Sequence, residues 1–101
     1  GDTMTTKEGE AAAQRCAIGL LAQMQSALGS LDKVARVVKL GVFVNSTADY
    51  TDHPKVANGA SDLMVAVFGD AGRHARSAVG VAALPLGVAV EVDAIVAVHA
   101  G

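Results

Sequence analysis

The residues best suited to chemistry in this 101-residue chain are Arg76 and Glu91, which lie in two segments otherwise rich in valine and alanine. Small and β-branched residues are typical of buried strands, and a charged side chain in such a strand needs a partner. Because arginine keeps its charge, it requires a carboxylate or an anionic ligand. The sequence therefore predicts an anion-binding arginine. The alternative is a structural arginine paired with Glu91 or Asp93.

The composition favours a small domain that associates with copies of itself. Hydrophobic residues make up 51% of the chain and aromatic residues only 3%, so valine and alanine must provide most of the buried surface. A core with few large side chains stabilises a small monomer poorly, and surplus apolar surface usually lies in an oligomer interface. We therefore expect one domain, residues 1–101, that forms a homo-oligomer.

The charge pattern argues against a nucleic-acid partner. The net charge is −2, the isoelectric point is about 5.8, and the lysines and arginines are scattered rather than arranged in a stripe. Cys16 is the single cysteine, which argues against a disulfide and favours a reducing, cytoplasmic compartment. Neither a signal peptide nor a membrane-spanning run is recognisable, so no membrane partner is predicted.

No metal or cofactor is predicted either. The histidines His53, His74 and His99 lack metal-ligand spacing, and no dinucleotide or phosphate-loop fingerprint is present. His74 lies close to Arg76 in the sequence, and we expect it to be an exposed loop residue. Cys16 falls beside the apolar stripe of the first predicted helix, where a small core residue is expected.

Hydrophobic periodicity and capping residues predict the element order helix, strand, helix, strand, strand. The expected elements are a helix from the Thr5–Glu8 capping box to about Leu28, a strand over Val34–Val44, a helix from Asp52 or His53 to Gly69, a strand from Arg76, and a strand over Val88–Val98. The expected breaks are a turn over Asn45–Asp49 and an interruption at Leu84–Gly87.

Three strands with two helices on one face form a two-layer α+β sandwich. The first strand is rich in valine, which predicts burial on both of its faces. Such a narrow sheet leaves at least one edge open. Either a strand comes from outside this chain, or a segment that precedes the first helix has been lost.

The C-terminal half of the chain closely resembles the signature of the Rid family, the reactive-intermediate (enamine/imine) deaminases, also called the YjgF or L-PSP family. The resemblance rests on an arginine, a Leu-Pro pair and a glutamate at fixed spacing, namely Arg76, Leu84-Pro85 and Glu91. Upstream segments also match: Leu31-Asp32-Lys33-Val34, Val42-Phe43-Val44-Asn45 and Phe68-Gly69. The whole chain is similar to the family.

The resemblance implies the fold of the chorismate-mutase-like trimers, with a mixed sheet, two helices on one face and ligand clefts at the subunit interfaces. It also implies that the N-terminal hairpin of the family is missing from this chain, together with the ligand contacts that the hairpin provides. The implied partners are therefore two further copies of the chain and a small carboxylate-bearing metabolite.

The best-known activity of the family is hydrolysis of enamines and 2-imino acids to 2-keto acids and ammonia. By resemblance, Arg76 holds the substrate carboxylate and Glu91 orients or activates the attacking water. Asn58 is similar to a ligand-contacting asparagine of some relatives; its alternative is an ordinary exposed polar residue. Ala78 stands where several catalytic members have a cysteine, which marks a divergence.

Two other functions stay open. A non-catalytic trimer could bind carboxylates in the same cleft, and some relatives are assigned an endoribonuclease activity, which the acidic isoelectric point disfavours. In a simple hairpin Arg76 and Glu91 would share a face but stand on the order of 13 Å apart. Either their strands are not neighbours, or the site joins two subunits.

Overall fold

The computed structural model describes residues 5–45, 52–84 and 88–99. Helix α1 is the longest element and spans Thr6–Leu28, as predicted. The Thr5 hydroxyl accepts the Glu8 N–H at 3.1 Å, and the Glu8 carboxylate accepts the Thr5 N–H at 3.1 Å. The Thr5 N–H foremost, and the Thr5 hydroxyl after it, stabilise the Glu8 carboxylate and lower its pKa. Gly29 ends the helix in the left-handed region, at φ 86°.

Helix α2 spans His53–Phe68, with Pro54 in its first turn. The predicted start at Asp52 or His53 is confirmed, because Asp52 is the capping residue and Pro54 lacks the N–H that a first turn leaves unpaired. Gly69 follows the helix with a positive φ of 61°. A short 3₁₀ turn, Gly69–Gly72, then leads the chain back to the sheet.

The sheet has three strands in the order β2-β1-β3. Their bounds are Val34–Asn45 for β1, Ala75–Val81 for β2 and Val90–Val98 for β3. The central strand β1 pairs with β2 in parallel and with β3 in antiparallel orientation, which makes the sheet mixed. The last strand begins two residues later than predicted. Residues 46–49 of the predicted turn and residues 85–87 of the predicted break lie outside the described residues.

Both helices pack on one face of this sheet, so the predicted α+β, two-layer fold is confirmed. Fully buried side chains of the central strand meet small residues of the helices. The buried core consists of Ala13, Ala17, Val37, Leu40, Val42, Val44, Val56, Ala57, Ala60, Met64, Val90 and Val92. Alanines in the helices let the backbones approach closely, which explains how a chain with few large residues fills its interior.

The other face of the sheet, here called the open face, carries the alternate residues of each strand. Its exposed apolar side chains include Val79 and Ile95, which are 43% and 60% exposed. The prediction that β1 is buried on both faces is wrong near its start, where the pairing with β3 is irregular and both Val38 and Lys39 are exposed. An irregular register there turns consecutive side chains toward solvent.

Candidate anion-binding site

Arg76 is the second residue of β2, at the edge of the sheet, and its side chain extends along the face that carries the helices. Its backbone is paired with that of Leu40, a buried residue of β1 that faces the helices. Directly paired residues of neighbouring strands point to the same face. The Arg76 side chain consequently reaches α2.

Three oxygens of α2 hold the Arg76 guanidinium. Nη1 donates to Asn58 Oδ1 at 2.8 Å and to Ser61 Oγ at 3.0 Å, while Nη2 donates to the Pro54 carbonyl at 3.2 Å. Asn58 follows Pro54 by four positions and Ser61 follows Asn58 by three, so the three acceptor residues lie on one side of the helix. The predicted contact residue Asn58 and Arg76 are thus brought together. Ser61 and the Pro54 carbonyl were not predicted, although their helical spacing from Asn58 was a usable signal.

These three bonds leave part of the guanidinium available. Arginine has five N–H donors, and within the described part of the chain the Nε–H and one N–H of Nη2 have no recorded acceptor. Adjacent N–H groups of a guanidinium bind the two oxygens of a carboxylate through parallel hydrogen bonds. Arg76 is held by neutral oxygens, which do not compensate its charge, and its free donors are suited to an anion.

His74 continues this hydrogen-bonded network, which the sequence did not predict. Its Nε2 lies 2.9 Å from Ser61 Oγ, and its Nδ1 contacts the Gly72 carbonyl oxygen. A carbonyl only accepts, so Nδ1 carries a proton; in the neutral imidazole Nε2 then accepts the Ser61 hydroxyl. That arrangement leaves the Ser61 lone pairs for Arg76. The prediction of an exposed loop histidine is wrong, because His74 is half-buried.

A cavity of about 260 Å³ adjoins this network. Its lining residues are Ser61, Val65, Arg73, His74 and Arg76. None of these five is acidic, and two are arginines. Arg73 Nε also forms an ion pair with Asp70 at 3.2 Å, in which the two side chains are 73% and 99% exposed. The cavity therefore has the lining of an anion site.

Glu91 does not reach this cavity within one chain. Glu91 pairs with Phe43 of β1, whereas Arg76 pairs with Leu40, three residues earlier on the same strand. Side chains alternate between the two faces of a strand, so an offset of three residues places Glu91 on the open face. The central strand lies between β2 and β3, so the predicted possibility that the two strands are not neighbours is confirmed. Their spacing places the Arg76 and Glu91 Cα atoms on the order of 14 Å apart. The catalytic role of Glu91 stays a prediction.

The other concave surfaces and reactive groups suit chemistry less well. A wider groove of about 490 Å³ runs between the helices, and its lining mixes Lys7 with Glu10 and Asp62. Cys16 is half-buried against the core, as predicted, and burial raises the pKa of its thiol, which disfavours the reactive thiolate. Among residues 5–45, 52–84 and 88–99, no group of three metal-ligating side chains occurs, and no helix has the length and hydrophobicity to cross a membrane.

Comparison with known proteins agrees with this architecture. Residues 1–97 match the family described as YjgF/chorismate mutase-like, putative endoribonuclease. The crystal structure of Atu1372 from Agrobacterium tumefaciens, of unknown function, superposes with a TM-score of 0.92 at 46% identity over 94% of this chain. That of a putative endoribonuclease from Shewanella oneidensis gives a TM-score of 0.87 at 34% identity over 91% of this chain.

A sequence relative is Protein TCP17 of Trypanosoma cruzi, which is 62% identical over 97 residues, or 95% of this chain. The chain spans 61% of the length of this protein and of each of the two crystallised relatives. Because the family match covers almost the entire chain, the chain belongs to the YjgF/chorismate mutase-like family, and the resemblance seen in the sequence is confirmed.

Proposed function

We propose that this protein hydrolyses 2-imino acids, the tautomers of enamines, to 2-keto acids and ammonia. Water adds to the imine carbon, the C–N bond of the resulting carbinolamine breaks, and the nitrogen leaves as ammonia while the oxygen stays as the keto group. A protonated imine is already electrophilic, so positioning and modest acid–base assistance suffice. Family membership supports this reaction class.

The proposal rests on how the Arg76 guanidinium is held and on the N–H donors that it keeps free. The guanidinium is fixed by three neutral oxygens of α2 and keeps adjacent donors beside a cavity without acidic lining residues. A 2-imino acid has a carboxylate next to the reacting carbon, and a bidentate pair with Arg76 would hold that carbon at a defined position. Asn58 acts by orienting Arg76 rather than by touching the substrate itself.

Glu91 enters the proposal through a second copy of the chain. Within one chain it faces away from the Arg76 cavity, so a carboxylate that activates water must come from another subunit. The homotrimer with clefts at its interfaces, which the family resemblance implies, would provide that arrangement. The exposed apolar side chains of the open face support association.

The test is hydrolysis of 2-iminobutanoate, generated in situ, with release of 2-oxobutanoate and ammonia as the readouts. We expect Arg76→Ala to lower kcat/KM by about 100-fold, because it removes two charge-assisted hydrogen bonds to the substrate carboxylate that contribute about 1.5 kcal/mol each. Arg76→Lys should recover little, because an ammonium does not reproduce the planar donor pair.

The matched control is Arg15→Ala, which removes an exposed arginine from α1 in the helical layer. It should retain the wild-type rate, and circular dichroism should show that all variants are folded. Turnover that survives Arg76→Ala would contradict the proposed role of Arg76. Absence of turnover in the assembled wild-type protein would refute the reaction.

The second candidate function is binding of carboxylates without catalysis. It is favoured by the placement of Arg76 and Glu91 on opposite faces of the sheet, since a binding site needs Arg76 but not Glu91. Glu91→Gln separates the two functions. If the protein is a deaminase, Glu91→Gln should lower kcat strongly. If the protein only binds carboxylates, the wild type shows no turnover and Glu91→Gln keeps the wild-type affinity for carboxylates.

A Shewanella relative is described as a putative endoribonuclease, so RNA cleavage should be measured on the same preparation. The net charge of −2 disfavours binding of a polyanion. RNA cleavage that persists through stringent purification and disappears in Arg76→Ala would replace the deaminase proposal.

A further inference from the structure

We propose that the Arg76 cavity binds two anionic groups of one ligand, with Arg73 as the second anchor. This inference rests on the proposed function. The substrates of the reaction are 2-imino acids that carry a second carboxylate, such as 2-iminosuccinate and 2-iminoglutarate. Arg76 takes the carboxylate beside the imine carbon, and Arg73 takes the distal one.

The first support is the charge of the cavity. Both arginines line it, and no lining residue is acidic. The hydrogen-bond acceptors of Arg76 are an amide, a hydroxyl and a backbone carbonyl, all of which are neutral. A monocarboxylate on Arg76 would leave the positive charge of Arg73 beside the same cavity, whereas a dicarboxylate matches both charges.

The second support is the weak attachment of Arg73. Its ion pair with Asp70 uses the Nε atom, and both side chains are largely in solvent, where screening by water makes such a pair weak. In the described residues the two Nη groups of Arg73 have no recorded acceptor. A ligand carboxylate can therefore bind Arg73 without breaking a strong contact.

The third support is the size and shape of the cavity. Its volume of about 260 Å³ lies below the range of roughly 300–1,000 Å³ typical of sites for drug-sized ligands, which fits a small metabolite. Arg73 directly follows the 3₁₀ turn, and Arg76, three residues later, is the second residue of β2. His74, between them in sequence, also lines the cavity and is held there by hydrogen bonds with Ser61 and the Gly72 carbonyl.

The experiment compares kcat/KM for 2-iminosuccinate, 2-iminoglutarate and 2-iminobutanoate, each generated in situ, in the wild type and in Arg73→Gln. We expect the wild type to prefer a dicarboxylate by at least 10-fold. Arg73→Gln removes the charge but keeps a polar side chain, and it should bring the ratio of the dicarboxylate to the monocarboxylate close to one. Arg15→Gln, the matched control on α1, should keep the wild-type ratio.

Direct binding separates failure of this inference from failure of the proposed reaction. The affinities of 2-oxoglutarate and 2-oxobutanoate, measured by calorimetry, should differ in the wild type and converge in Arg73→Gln. Turnover of all three imines at similar kcat/KM would overturn the dianion site and leave the reaction standing. No turnover, with Arg73-dependent preference for 2-oxoglutarate, would refute the reaction and support the dianion site. Equal affinities for the two keto acids would overturn the inference.

Discussion

At the scale of single residues, the site depends on how one arginine is held. Helix α2 presents Pro54, Asn58 and Ser61 at helical spacing, and their oxygens fix the Arg76 guanidinium without neutralising it. Neutral acceptors orient the cation and leave its attraction for an anion undiminished. His74 holds the Ser61 hydroxyl in turn, so a loop residue outside the predicted site influences the geometry of Arg76.

Ser61→Ala tests this network. The substitution removes the central oxygen of the Arg76–Ser61–His74 chain, and a part-buried polar group left without its partner costs about 1–3 kcal/mol of the free energy of unfolding. We expect that loss in denaturant titrations, together with a raised KM in the imine assay. Ser26→Ala, at an exposed position of α1, should stay within about 0.5 kcal/mol of the wild type. A loss of equal size in both variants would contradict the network.

At the scale of secondary structure elements, the two helices pack through small residues. A Cβ atom added at Gly59 of α2 would collide with the Glu10 carbonyl of α1, whereas one added at Gly19 of α1 would have no neighbour within 4 Å among the described residues beyond its own stretch of helix. Glycine is therefore required at one position by close approach of backbones, and at the other it only weakens the helix.

This contrast yields a pair of opposite predictions. Gly59→Ala should lower the free energy of unfolding by about 1–3 kcal/mol through overpacking. Gly19→Ala should raise it by about 0.5–1 kcal/mol, because alanine has the higher helix propensity and the site is exposed. Thermal or denaturant unfolding of both variants is the measurement, and a stabilised Gly59→Ala would show that the helices do not pack this closely.

At the scale of the whole molecule, the open face is the surface most suited to association. It combines exposed Val79 and Ile95 with the carboxylates of Glu91 and Asp93, on the side of the sheet that the helices leave uncovered. Composition predicts a homo-oligomer and the family resemblance implies a trimer, and such an assembly would bury this surface. It would also provide a route by which Glu91 of one copy meets Arg76 of another.

A charge introduced on the open face tests the trimer. Ile95→Glu on the open face should shift the protein from trimer to monomer in sedimentation or light-scattering measurements, because a charge buried in an apolar interface is costly. Ile18→Glu, at a 53% exposed position of α1 on the helical layer, is the matched control and should leave the mass unchanged. A wild-type monomer would refute the predicted assembly.

The secondary structure elements could be predicted from the chain alone, because capping and periodicity are local properties. The Thr5–Glu8 box, the Gly29 cap and the alternating residues of the strands predicted α1, β1 and the α+β class, all of which are confirmed. The sequence also singled out Arg76 as a permanent charge in an apolar segment, although the burial expected for that segment is not found within one chain, where β2 and Arg76 are largely exposed.

How these elements combine became known from their three-dimensional packing. Strand order is set by contacts between distant residues, and the insertion of β1 between β2 and β3 put Arg76 and Glu91 on opposite faces. The partners of Arg76 depend on where α2 lies over the sheet, so the spacing of Ser61 from Asn58 became informative only once Asn58 was seen to hold Arg76. Residue type alone did not reveal the contact between His74 and Ser61. Local patterns specify each segment, whereas long-range packing chooses which side chains share a site.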